Sequence, residues 1–143
     1  MPSNNHKKNI KILSLDDANQ LLPTLIPLLH SLQEQKKQIF KMQVDIEIEE
    51  LTGTDDQNQL FLHSKRNIDQ KMQILERHIF LFENTFNKFK KTGAVLKDLE
   101  KGLVDFYYLK NNEIVFLCWI LGEPSITHWH SLEGGFAGRQ PLD

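Results

Sequence analysis

The chain has 143 residues, 40% apolar and 25% charged, with seventeen Lys and Arg against nineteen Asp and Glu for a formal charge of −2. That is about one globular domain's worth of sequence, without the clustered basic field that general nucleic-acid binding requires. The longest apolar run, Ile114 to Leu121, has eight residues against the roughly 20 that span a bilayer, and Cys118, the only cysteine, excludes an intrachain disulfide and a thiolate-rich zinc site.

The first stretch, Met1 to Lys8, is polar and lacks the apolar core of a secretory signal, so a cytoplasmic, membrane-free protein is expected. Ser14, followed by Asp16 and Asp17, is a helix N-cap with acids in the first turn. Ala18, Leu25, Leu32, Ile39 and Ile46 then recur every seven residues, with Leu21, Leu28 and Met42 between them and polar Gln35 and Glu49 breaking the second position. Pro23 and Pro27 interrupt this pattern, so a short helix to about Leu22 and a long one starting near Pro23 are expected. Gly53 ends that helix and Asp55-Asp56 start the next. Phe61, Ile68, Leu75, Phe82 and Phe89 repeat every seven residues along it, interleaved with Met72, Ile79 and Phe86, up to Lys90-Lys91 and a capping Gly93. Two long helices with a short polar connection must run antiparallel.

Six of the seven glycines lie from Gly93 onward, which marks a change to strands and turns. Leu103–Leu109 and Ile114–Leu121 are strands around an Asn111-Asn112 turn, Ile126–Ser131 is a third, and Ala94–Asp98 is an optional edge strand. The expected fold is α+β: one domain over 1–143, with a polar segment 1–13, a helical hairpin 14–93, an antiparallel β-meander 94–133 and a Gly-rich tail 134–143. The second meander strand is apolar on both faces, where one wet face would alternate with polar residues. One face can pack on the helices. The other needs a cover, either the tail or another subunit.

Leu15-Asp16-Asp17-Ala18-Asn19-Gln20-Leu21-Leu22-Pro23, Val104-Asp105-Phe106, Leu117-Cys118-Trp119 to Leu121-Gly122-Glu123-Pro124, Trp129-His130 and Gly134-Gly135-Phe136-Ala137-Gly138-Arg139-Gln140-Pro141-Leu142 occur in this order. Together they resemble an uncharacterised family of small prokaryotic proteins, domain of unknown function 2203. This sequence carries Tyr107 where the family often has proline. The resemblance implies a fold and no established activity.

Four constellations are candidate sites. His128 and His130 share a strand face, and Glu133 adds a carboxylate, a set suited to zinc or iron; the alternative is two histidines without an ion. The tail residues Gly134, Gly135, Phe136, Gly138 and Arg139 can expose N–H groups to an anion, or can instead turn tightly to lay Phe136 into the core while Arg139 pairs Glu123 or Asp105. Cys118, mid-strand, has the setting of a small buried hydrophobe. Phe82, Phe86 and Phe89, with Trp119, are candidate contact residues for a protein partner. No catalytic arrangement or cofactor site is recognisable. The leading expectation is therefore a non-enzymatic interaction protein that self-associates or joins a larger complex; the runner-up is a small metal-binding protein.

Overall fold

The computed structural model describes residues 10–52 and 59–143, the side chains of 59–62 excepted. The Gly53 helix end, the Asp55-Asp56 helix start, most of the polar segment 1–13 and the Phe61 side chain lie outside the described residues. Helix α1 spans Leu15–Thr52 and α2 spans Gln59–Lys91. Five strands follow, β1 (Val95–Asp98), β2 (Leu103–Lys110), β3 (Glu113–Ile120), β4 (His128–His130) and β5 (Gln140–Pro141), in one antiparallel sheet of order β1-β2-β3-β4-β5. The fold is α+β, a two-helix hairpin followed by a meander. The described chain forms two compact units, one of 1–27 with 89–143 and one of 28–88.

In the first unit, Ser14 Oγ accepts the Asp17 N–H at 3.0 Å and starts α1 as a capping residue. The helix does not stop at Pro23. Both prolines lie inside α1, where each removes one backbone donor. They are four residues apart on one exposed face, so the carbonyls they orphan are open to water, while Leu22 and Leu25 stay buried behind them. Burial of the helix's other face outweighs the local proline penalty. At the end of α2, Gly93 adopts φ +95° and its N–H bonds the Lys90 carbonyl, closing the helix as expected.

The β2–β3 turn has Asn111 at φ 49° and Asn112 at φ 64°, the two-residue form whose twist matches the strands. At Gly102, φ +68°, a Cβ would lie 2.5 Å from the Leu121 Cβ, so glycine is required there. The third strand is shorter than expected because the Ile126 N–H bonds Asn19 Oδ1 of α1 at 2.8 Å instead of a neighbouring strand. The tail supplies β5, which the sequence reading missed, and Leu13 N–H bonds the Tyr107 carbonyl beside the sheet at 2.9 Å.

The two faces of β3 resolve cleanly. Val115, Leu117 and Trp119 are buried, in register with Tyr108, Phe106 and Val104 of β2, and belong to the core with Ala18, Leu22, Leu25, Phe89 and Ile126. Phe116 and Cys118 on the opposite face are buried by the chain itself. Tyr107 packs beside the Phe116 ring at 4.7 Å and Lys97 Nζ sits 4.5 Å above it. Ile114, at the hairpin end of the same face, is 40% exposed.

The second unit is the antiparallel helix pair. Its two polar breaks are both answered across the hairpin. Gln35 Nε2 donates to Thr85 Oγ1 at 3.1 Å, Ser64 Oγ donates to Glu49 Oε1 at 3.2 Å, and Lys71 bridges Asp45 and Glu49 at 2.9 and 3.5 Å. Polar pairs at otherwise apolar seams fix register more than they add stability. Among the described residues, no helix is long and apolar enough to cross a membrane.

Candidate functional site

The two-residue turn sets Asp105 of β2 directly opposite Cys118 of β3. Strand β4 then brings His130 in beside Phe116 on the same face, and all three polar side chains are buried. His130 Nε2 lies 2.9 Å from Asp105 Oδ2, and His130 Nδ1 lies 2.6 Å from the Ser131 carbonyl. A carbonyl can only accept, so Nδ1 carries a proton and donates it. The second ring nitrogen and the carboxylate then face each other across one proton. Asp105 Oδ1 is buried without a hydrogen-bond partner.

Burial dominates the electrostatics. It raises the Asp105 carboxyl above its ordinary 3.8, against the opposing pull of His130 and Lys97. Burial, helped by the Asp105 charge, pushes the Cys118 thiol up to about 11 although Arg139 pulls the other way. Arg139 itself forks onto Glu123 with contacts of 2.9 and 3.2 Å, and that bond raises its already high pKa. Partial burial opposes the charge on Glu123, but Arg139 and the Ile120 N–H outweigh it and hold the carboxyl below 4.5. The sign follows: the stability from this pair is complete above 4.5 and drains away as pH falls through the lower folded value. Glu123→Gln should therefore cost about 1–2 kcal/mol at about pH 7, with the gap narrowing as the pH falls below 4.5, as read from urea midpoints across that range.

The residues singled out from sequence separate in the structure. His130 is in the buried cluster. His128 shares its face, in register with Cys118, but its Nδ1 is 2.8 Å from Thr127 Oγ1, and Glu133 is exposed. Among the described residues, the group able to present three ligand atoms within 4.8 Å is Asp105, Cys118 and His130. Of the expected set, the structure brings His130 together with Asp105 and Cys118 rather than with His128 and Glu133. The tail keeps the expected Arg139–Glu123 pair but not a buried Phe136, which is exposed under the Arg139 guanidinium at 4.5 Å. Gly134, Gly135 and Gly138 serve the turns and the short 3-10 helix that carry the chain to β5.

Residues 11–142, nearly the whole chain, match the family described as uncharacterized conserved protein (DUF2203). The chain belongs to this family. No curated protein and no solved structure matches it. In this DUF2203 chain the expected contact residues also move apart. Trp119 is wholly buried, its Nε1–H donating to the Glu123 carbonyl at 2.9 Å, and Phe89 is wholly buried as well. Both are core residues. Phe82 and Phe86 are half-buried on α2. Exposed apolar side chains lie on both helices of the pair, with Met72, Ile74, Phe80 and Leu81 on α2; on α1, Phe40, Val44, Ile48 and Leu51 are 65, 36, 55 and 73% exposed. Their spacing of four, four and three residues places them on one face.

Proposed function

We propose that the protein is a non-enzymatic, cytoplasmic interaction protein that self-associates through the outer face of α1. The observation that carries this reading is the exposed stripe Phe40, Val44, Ile48 and Leu51. It lies away from Leu32, Gln35 and Ile46, which face α2 or are buried. Over about 16 Å of helix it leaves four large apolar side chains in water, and patches of this kind mark contact surfaces. The partner that suits it is a second copy. Lys36, Lys37 and Lys41 cluster toward the start of the stripe, and Glu47 and Glu50 lie toward its end. Two such helices laid antiparallel, in coiled-coil fashion, bring basic ends to acidic ends as well as burying both stripes. A thiol held near 11 is a poor nucleophile at neutral pH, which supports a non-catalytic reading.

Light scattering and sedimentation test this. The wild type is expected at twice its chain mass of 16.7 kDa, and Phe40→Asp combined with Ile48→Asp at the single mass with an unchanged circular dichroism spectrum. A wild type that stays monomeric at high concentration, or a double variant that remains a dimer, overturns the reading.

A further inference from the structure

We infer that Asp105, Cys118 and His130 form a binding site for one thiophilic divalent transition cation of the Zn²⁺ class. The three offer a carboxylate oxygen, a sulfur and an imidazole nitrogen, one from each of β2, β3 and β4, within 4.8 Å of one another. Strands hold such a constellation more firmly than a loop does. Two further observations point to a cation rather than to a closed hydrogen-bond network. The first is Asp105 Oδ1, buried without a hydrogen bond of good geometry although the Cys118 thiol interacts with the carboxyl, a costly state that a positive charge would relieve. The second is His130. Its Nδ1–H is committed to the Ser131 carbonyl at 2.6 Å, the outer hydrogen bond that orients a metal-binding imidazole and turns the other nitrogen's lone pair toward the ion. That lone pair points at Asp105 Oδ2. Two acceptors face to face leave a slot for a proton or a metal.

The donor chemistry selects the ion. A thiolate with an imidazole and a single carboxylate suits zinc or cobalt and disfavours magnesium and calcium, which take oxygen cages. Binding displaces two protons, the one on Cys118 Sγ and the one shared by Asp105 and His130. The dication then balances the thiolate and the carboxylate, so the buried site is neutral overall. Arg139 lies close to Cys118, but its own charge is matched by the forked bond to Glu123. Three protein ligands leave one position for solvent.

Cobalt is the probe, because a Co²⁺–thiolate bond gives near-ultraviolet charge-transfer absorption and a tetrahedral site gives strong visible bands. Titration of the full chain, stripped of metal, is expected to give both signals, saturating at one equivalent and abolished by Zn²⁺ but not by Mg²⁺. Cys118→Ser should lose the charge-transfer band, and Asp105→Asn should weaken cobalt binding at least about tenfold. A folded wild type that gives no thiolate band at one equivalent overturns the inference. So does a band that survives in Cys118→Ser.

Discussion

Replacing Trp119 with alanine should cost about 3–5 kcal/mol, the range for emptying a buried indole site. The side chain is fully enclosed at the centre of β3, opposite Val104, and its ring nitrogen donates to the Glu123 carbonyl just past the end of the strand. Removing it opens a cavity and strips a part-buried carbonyl of its donor. Trp119→Phe separates the two effects: most of the apolar volume remains and the hydrogen bond is lost, so about 1–2 kcal/mol is expected. Urea unfolding followed by far-ultraviolet circular dichroism measures both. Trp119→Phe should also leave the mass in solution unchanged, because the residue is interior and not part of any contact surface. Equal losses in the two variants would show that packing of the indole contributes little.

Asp105 gives the second large effect, and its two substitutions should differ sharply. Asp105→Ala leaves His130 Nε2 buried without a partner and should cost about 3 kcal/mol, as when one member of a buried pair is removed. Asp105→Asn keeps the shape and still offers polar atoms to His130, and should cost about 1 kcal/mol or less. The reason is the direction of the carboxyl's shift. Its pKa is raised by burial, so the fold favours the neutral form; this contribution is present below 3.8 and lost as pH rises through the higher folded value. Asparagine never ionises and escapes that loss. Metal-free protein unfolded in urea at about pH 7 is the measurement. An asparagine variant as damaged as the alanine one would mean that the fold relies on an ionised Asp105.

The architecture was legible in the sequence because its signals are periodic and long. The heptads of Leu25, Leu32 and Ile46 and of Leu75 and Phe89 end on buried positions, and the Asn111-Asn112 turn sets the β2–β3 register. Pro23 and Pro27 point to a helix break because their local penalty is visible in the sequence and the burial that overrides it is not. Strand β5 has two residues, too short for any pattern. The cluster was half readable. A two-residue turn already implies that Asp105 faces Cys118, whereas taken singly Asp105 is a partner for Arg139 and Cys118 a small hydrophobe. His130 could not be placed with them, because its register depends on the irregular stretch from Gly122 to Thr127, where Asn19 of α1 takes the Ile126 N–H. The apolar stripe on α1 was invisible for another reason. A helix apolar on two faces shows which residues are greasy, not which face its partner occupies.

The first compact unit is drawn from two stretches of chain, with 28–88 inserted between them. Its binding partners are therefore remote along the polypeptide: Leu13 meets Tyr107, and Asn19 meets Ile126 across a separation of 107 residues. Contacts so distant must overcome loop-closure entropy before they repay anything, and each doubling of the open loop adds about 0.6 kcal/mol. The inserted helix pair removes that burden if it forms early, since pairs such as Gln35–Thr85 draw together two points fifty residues apart. The strands, each hydrogen-bonded to the next in sequence, need no such help. Folding should thus proceed from two independent local nuclei, hairpin and meander, with the N-terminal segment joining the sheet last. Lys71→Gly, at a half-buried position, weakens α2 and its bridge to α1 and should slow that final step more than it slows formation of the sheet.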